Sequence, residues 1–483
     1  APGVQYAKVD AAYFAQRGLR RYAGVWSLWA LGVGAVISGH FSGWNLGLAN
    51  GWGSMLLATL VIAVMYLGLT FSLAELSPAL PHTGAAYSFA RTAMGPWGGF
   101  LTGLAENVEY VLTPAVIVFF IGSYMGAIFG TPAEWQPLWW VGFYVVFVGL
   151  NVVGVELSFK VTLVVTLLAL ACLAVFWASA LPRIDFARWA MNVGPGGTLL
   201  EAGHGPFLPL GPGGVLAAMP FAVWLFLAIE QLPLAAEESV DPRRDMPPGI
   251  LAGMLTLLVS ASLVLWLNPS VPGVGSHALA KSTEPLLDGF KAIYGEGVAK
   301  ILALVAVLGL VASFHTIIFA MGRQIYSLSR AGYFPTVLSL THRTCKTPHM
   351  AMIAGAAAAL AVMFALWFSL GAERGAAVIG GILLNMAVFG AMFSYIMQAL
   401  SFILLRRRMP DMERPYRSPL GVPGAALTMV IAVVTLYFQL NDPVYRSGVL
   451  WVALWFAIGI GYFALIGRHR LVLSPEEEFA LGR

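Results

Sequence analysis

Twelve apolar runs dominate the sequence, near residues 25–48, 53–78, 97–129, 137–154, 158–181, 214–240, 249–268, 298–328, 350–370, 376–405, 422–440 and 447–467. Each approaches or exceeds the ~20 residues a helix needs to cross hydrocarbon. In lipid the backbone must satisfy its own N–H and C=O groups, so runs of this length can only be helices. Of 483 residues 59% are hydrophobic and 10% charged, against about 25% charged in soluble domains. The sequence predicts an all-α integral membrane protein of twelve transmembrane helices, and an even number places both termini on one side.

Charge orients that topology. Arg183, Arg188, Lys281, Lys291, Lys300, Arg374 and Arg446 fall on one side, and the other twenty of the 27 Lys and Arg, from Lys8 to Arg483, on the opposite one. The positive-inside rule puts both termini in the cytoplasm, in a multi-pass protein of the cytoplasmic (inner) membrane. The net charge of +4 restates this topology and gives no reason to expect a nucleic-acid partner. Residues 1–24 lack the apolar core of a cleavable signal, so the first span is expected to be kept. With Cys172 in span five and Cys345 in a cytoplasmic loop, neither a disulfide framework nor a Cys-rich metal site is expected.

Two of the spans are poor membrane helices. "GVGAVISGHFSGWN", residues 32–45, carries four glycines, two serines, a histidine and an asparagine inside span one. "FAVWLFLAIEQLPLAAEES", residues 221–239, is broken by Glu230, Gln231 and Pro233 in span six. Matched interruptions in two halves point to an inverted-repeat transporter with its solute site near the midplane. Close helix packing is the competing account of the glycines, but it leaves Glu230 and Pro233 unexplained.

Four further stretches carry a resemblance. "AELSPALPHTGAAYSFARTAMGPWGGFLTG" links spans two and three, "AAEESVDPRRDMPPGI" ends span six, "MGRQIYSLSRAGYFP" ends span eight, and "LLRRRMPDMERPYRSPLGVPG" follows span ten. Together they resemble the amino acid–polyamine–organocation (APC) superfamily over nearly the full chain. "GVGAVISGHFSGWNLGL", "GLAENVEYVLTPAVIVFF" and "IEQLPLAAEES" look most like its ethanolamine permeases. The resemblance implies an APC fold: a 5+5 inverted repeat with broken helices one and six, and alternating access around them. The segments would be 1–24, cytoplasmic; 25–181, the first five-helix repeat; 182–213, an extracellular loop; 214–405, the second repeat; and 406–483, peripheral helices eleven and twelve with a cytoplasmic C-terminal segment. Span one is expected to break at about Ile37, Ser38, Gly39 and His40.

Ionisable groups deep in a membrane are costly and suggest function; here they are His40, Glu106, Glu109, Glu230 and His315. Glu75, Glu156, Lys160 and Arg323 lie near span ends, where snorkelling is the ordinary reading. Glu230, beside Ala228 at the broken centre of span six, could bind an ammonium or take up a proton, or it could cap backbone N–H groups freed by the break. Glu106, Glu109 and Tyr110 stand at i, i+3 and i+4 and share one helix face. Two buried carboxylates on one face repel, so a bound cation or shared proton is expected there, or else a hydrogen-bond network with Asn107. His40 and His315 are proton-relay candidates beside Glu230 and Glu106, although a buried His is more often a satisfied core residue. The resemblance places an aromatic, Trp224, over the substrate, where it would add cation–π attraction. Asn385 and Phe389, four apart on span ten, are weaker candidates for an outer gate.

Three deep acids without a deep Lys or Arg suit a cation better than a zwitterion. The expected function is a permease that imports ethanolamine or a similar small primary amine, coupled to protons, with sodium an open alternative. The alternative within the superfamily is an amino acid carrier or exchanger; the alternative from another class is a membrane amine receptor that moves nothing. Neither a nucleophile motif nor a cofactor or metal fingerprint points to an enzyme.

Overall fold

The computed structural model describes residues 3–441, 443 and 446–482; Arg483, counted above among the inner cations, lies outside them. Span one is the bent pair Val25–His40 and Trp44–Asn50, whose axes differ by 42°. Spans two to six are Trp52–Ala79, Ala85–Phe129, Gln136–Val153, Val155–Ala180 and the interrupted Gly211–Trp224 with Ile229–Glu238. Spans seven to twelve are Pro242–Leu267, Glu296–Arg330, His349–Leu370, Ala372–Arg408, Gly421–Asn441 and Arg446–Leu465. Twelve spans are therefore present among the described residues, as the apolar runs predict.

The packing carries the repeat. Replace each of spans one to five by the span five later, and each of spans six to ten by the span five earlier. Span one against seven then becomes six against two, and three against ten becomes eight against five. Three against four becomes eight against nine, and all six of these contacts are made. Contacts of one with six, two with seven, three with eight and four with nine map onto themselves, and all four exist. Spans eleven and twelve pack outside this set, on spans two, three, six and ten. The chain is thus a 5+5 repeat with two peripheral helices.

Two departures from the sequence reading concern acids and bases at span ends. Glu75 and Arg323 are fully buried, where snorkelling was expected. Glu75 accepts from Arg406 Nε at 2.8 Å and from the Ser418 N–H at 2.7 Å, with Arg414 Nε 3.0 Å away. Arg323 pairs with both oxygens of Glu238 at 2.8 Å. The stretches that carried the resemblance thus meet pairwise, the end of span two with the loop after span ten, and the end of span six with that of span eight. Glu156 and Lys160 do form an exposed pair at 2.8 Å. The two ends of the chain meet on one face, where Tyr6–Ala7 pairs in parallel with Leu471–Val472.

Candidate functional site

Spans one and six cross at their breaks. Helix Val25–Ile37 tightens into a 3-10 turn at Ser38–His40 and then bends at Gly43, whose φ is 95°. The bend thus falls about a turn later than the sequence suggests. A Cβ on Gly43 would lie 2.6 Å from the Trp224 indole nitrogen, and one on Gly39 would collide with the Trp224 carbonyl oxygen. Close packing and helix breaking are therefore both reasons for these glycines. Span six unwinds after Trp224, passes through Ala228 at φ 85°, and resumes as a 3-10 run at Ile229.

Hydrogen bonds pin the crossing. Ser313 Oγ donates to the Gly34 carbonyl at 2.6 Å and accepts from the Ser38 N–H at 2.8 Å. The Trp224 indole N–H donates to the Ser42 carbonyl at 3.0 Å. His40 Nε2 is 2.9 Å from the Leu225 carbonyl, which can only accept, so Nε2 carries the proton and Nδ1 accepts from Ser260 Oγ at 2.6 Å. Both ring nitrogens of His40 are thus occupied, and neither meets a carboxyl group. Gln231 Nε2 reaches the Leu31 carbonyl at 3.1 Å and ties span six to span one again.

Beside this crossing lies a cluster of acids. Glu106, Glu109 and Glu230 are at most 2% exposed. Glu230 accepts from the Ala228 N–H through both oxygens, at 3.0 and 3.1 Å, so it caps the break. Its carboxyl group acts electrostatically on both Glu106 and Glu109. The Tyr395 hydroxyl of span ten stands beside Glu109 and Glu230, and it pairs at 2.9 Å with the hydroxyl of Tyr66 from span two. Among the described residues neither oxygen of Glu109, nor Glu106 Oε2, nor the Tyr110 hydroxyl meets a partner in hydrogen-bonding geometry, although the Glu230 carboxyl and the Tyr395 hydroxyl stand next to Glu109. Buried like charges with orphaned acceptors require protons or a bound cation to neutralise them.

The remaining candidates have the following neighbours. His315 does not face span one as its neighbour Ser313 does. Its Nδ1 is 3.0 Å from Asn151 Nδ2 of span four and its Nε2 is 3.2 Å from the Ser158 carbonyl of span five. Asn385 receives Gln439 of span eleven on its backbone carbonyl at 3.0 Å, and so faces a peripheral helix. Phe389 is buried next to Gly390, where span ten lies on Val108 of span three. Ile37 is buried at the end of the first half-helix, and Asn107 points to Gln324 of span eight at 3.3 Å, away from the acids. Sequence reasoning missed Tyr66 and Tyr395 because it searched for charge. Their signal was a phenol in mid-span, where a buried hydroxyl needs a partner.

An apolar groove of about 620 Å³ between spans three, nine, ten and twelve, lined by Val111, Val362, Met386 and Trp455 among others, does not include the three acids in its lining. The acids themselves are closed from both ends. On the side of the chain termini lie the Arg323–Glu238 and Arg330–Glu237 pairs. On the other side Asn45 holds the Leu279 and Ser282 carbonyls, at 2.6 and 2.9 Å, and the Tyr124 hydroxyl bonds the Phe41 carbonyl at 3.1 Å.

Residues 29–468 match the family model for amino acid permeases. The chain is 28% identical to an uncharacterised transporter of Rhizobium meliloti over 87% of its own length and 86% of the relative's. It is 25% identical to a branched-chain amino acid permease of Bacillus subtilis over 96% and 97% of the two chains. It is 24% identical to a methylthioribose transporter of the same organism over 94% and 95%.

Proposed function

The chain belongs to the amino acid permease family, and from that premise we propose that it imports a small primary ammonium compound such as ethanolamine across the cytoplasmic membrane, by alternating access and coupled to protons carried inward with it through its acid cluster. The observation that carries this reading is the burial of Glu106, Glu109 and Glu230 together, with acceptor oxygens unpartnered. An ammonium would pair with one carboxylate while the coupling proton neutralises another, and the Tyr110 hydroxyl would meet the substrate's own hydroxyl. A zwitterion would also need donors for its carboxylate. In span one the N–H groups of Ser38, Phe41, Ser42 and Gly43 are already bonded to Ser313, Ser38, Ser38 and Asn45. The Lys and Arg distribution supports cytoplasmic termini.

Amino acid transport is the second reading, favoured by the match to the branched-chain amino acid permease over almost the whole chain. The methylthioribose transporter matches nearly as well. At this distance the relatives do not fix the cargo, and the residues around the break must.

Uptake of labelled ethanolamine into proteoliposomes, with and without an inward proton gradient and with short amines, choline and branched-chain amino acids as competitors, tests the proposal. Gradient-driven uptake blocked by short primary amines is the expected result. Tyr110→Phe should raise KM for ethanolamine and leave that for ethylamine unchanged. Amino acid exchange without ethanolamine uptake would overturn the amine assignment, and saturable amine binding without flux of any solute would indicate a receptor.

A further inference from the structure

The face where the chain ends meet holds charges that the transport reading does not use. Glu237 and Glu238 close span six, and Arg323 and Arg330 lie two turns apart at the end of span eight. Each pair is bidentate, with Arg330 donating to Glu237 at 2.6 and 2.8 Å. Arg330 has a second carboxylate as well, Glu476 at 2.7 Å, from the short helix Pro475–Ala480. Glu476 and its neighbour Glu477 are both fully buried.

Glu477 shows which part of the molecule owns that helix. It accepts from Arg91 of span three at 2.7 Å, and from the Tyr6 and Tyr333 hydroxyls at 2.8 Å each. The backbone just before the helix donates from Val472 to the Ala331 carbonyl at 2.8 Å, and pairs with Tyr6–Ala7. The helix is therefore fastened to spans three and eight, which pack on each other, and shares Arg330 with span six. Broken span six is the element that alternating access moves.

Opening this face means separating Glu237 and Glu238 from their arginines. A buried guanidinium left without a counter-charge is the main cost of such a step. Arg323 keeps the Phe319 ring, 3.6 Å from its guanidinium carbon, and Arg330 keeps Glu476. We propose that Glu476 is a resident counter-ion that neutralises Arg330 when Glu237 departs, so that the helix Pro475–Ala480 sets how easily spans six and eight part. This inference rests on the alternating-access reading of span six, and is independent of the solute carried.

The test is maleimide labelling of Ala236→Cys, a buried position directly before Glu237, in a Cys172→Ala, Cys345→Ser background, on full-length protein in detergent. Glu476→Gln leaves Glu237 as the sole counter-charge of Arg330, and should slow labelling about fivefold or more, the factor that a change of ~1 kcal/mol makes. Glu237→Gln should speed it. Glu476→Asp, which keeps the charge, should label at nearly the parent rate and serves if the Gln variant does not fold. Faster labelling of Glu476→Gln would make the helix a clamp, and an unchanged rate would reduce it to packing; either overturns the proposal. Labelling needs no substrate, so a protein that fails to carry ethanolamine still answers the question.

Discussion

Glu230 joins two roles that a change of one atom separates. Its oxygens cap the Ala228 N–H at 3.0 and 3.1 Å, and its charge sits against Glu106 and Glu109. Gln retains an acceptor for that N–H but brings no charge. Glu230→Gln is therefore expected to melt near the parent temperature and to lose amine uptake. Glu230→Ala should lose uptake and also ~1–3 kcal/mol of stability, the cost of an unsatisfied buried donor. Thermal unfolding in detergent beside liposome uptake measures both; normal uptake by the Gln variant would leave capping as the whole role. The acids themselves were legible, since an ionisable residue in mid-span stands out in a chain with 10% charged residues. The capping bond was one of two readings that sequence could not separate, because it depends on Ala228 turning to φ 85°.

At the level of the element, the crossing of spans one and six depends on two residues with positive φ. Gly43, at φ 95°, has no room for a Cβ beside the Trp224 ring. Gly43→Ala should then cost ~1–3 kcal/mol from the backbone conformation alone, with more from displacing the indole, and should abolish transport. Ala228 is an L-residue in the left-handed region, so Ala228→Gly should stabilise the protein by ~1 kcal/mol, provided the Glu230 cap survives. Melting temperatures decide both, and a stable, active Gly43→Ala would show that the two spans need not approach so closely. The existence of the two breaks was readable from glycines and a proline in apolar runs. Their crossing was not, since it rests on contacts such as the Trp224 indole N–H to the Ser42 carbonyl, which join residues 182 positions apart.

For the whole molecule, ion pairs between distant stretches tie the repeat to its periphery. Glu75 of span two holds Arg406, Arg414 and the Ser418 N–H after span ten. Glu75→Gln leaves Arg414 without its counter-charge, and should cost ~2–3 kcal/mol with little change in KM. A melting temperature at the parent value would show that water solvates that arginine. The sequence by itself determined the number of spans, which two of them break and which acids lie in the core. Each of these follows from local rules: the thickness of hydrocarbon, the cost of free backbone groups in it, and the cost of burying charge. Only the tertiary structure decided which polar groups share a site. His315 turned to spans four and five, Asn385 to span eleven, and Tyr395, paired with Tyr66, to the acids. The physical reason is that a buried polar group takes whichever partner packing brings within about 3 Å. Helical spacing states which side chains share a face, but the neighbour opposite that face comes from residues hundreds of positions away.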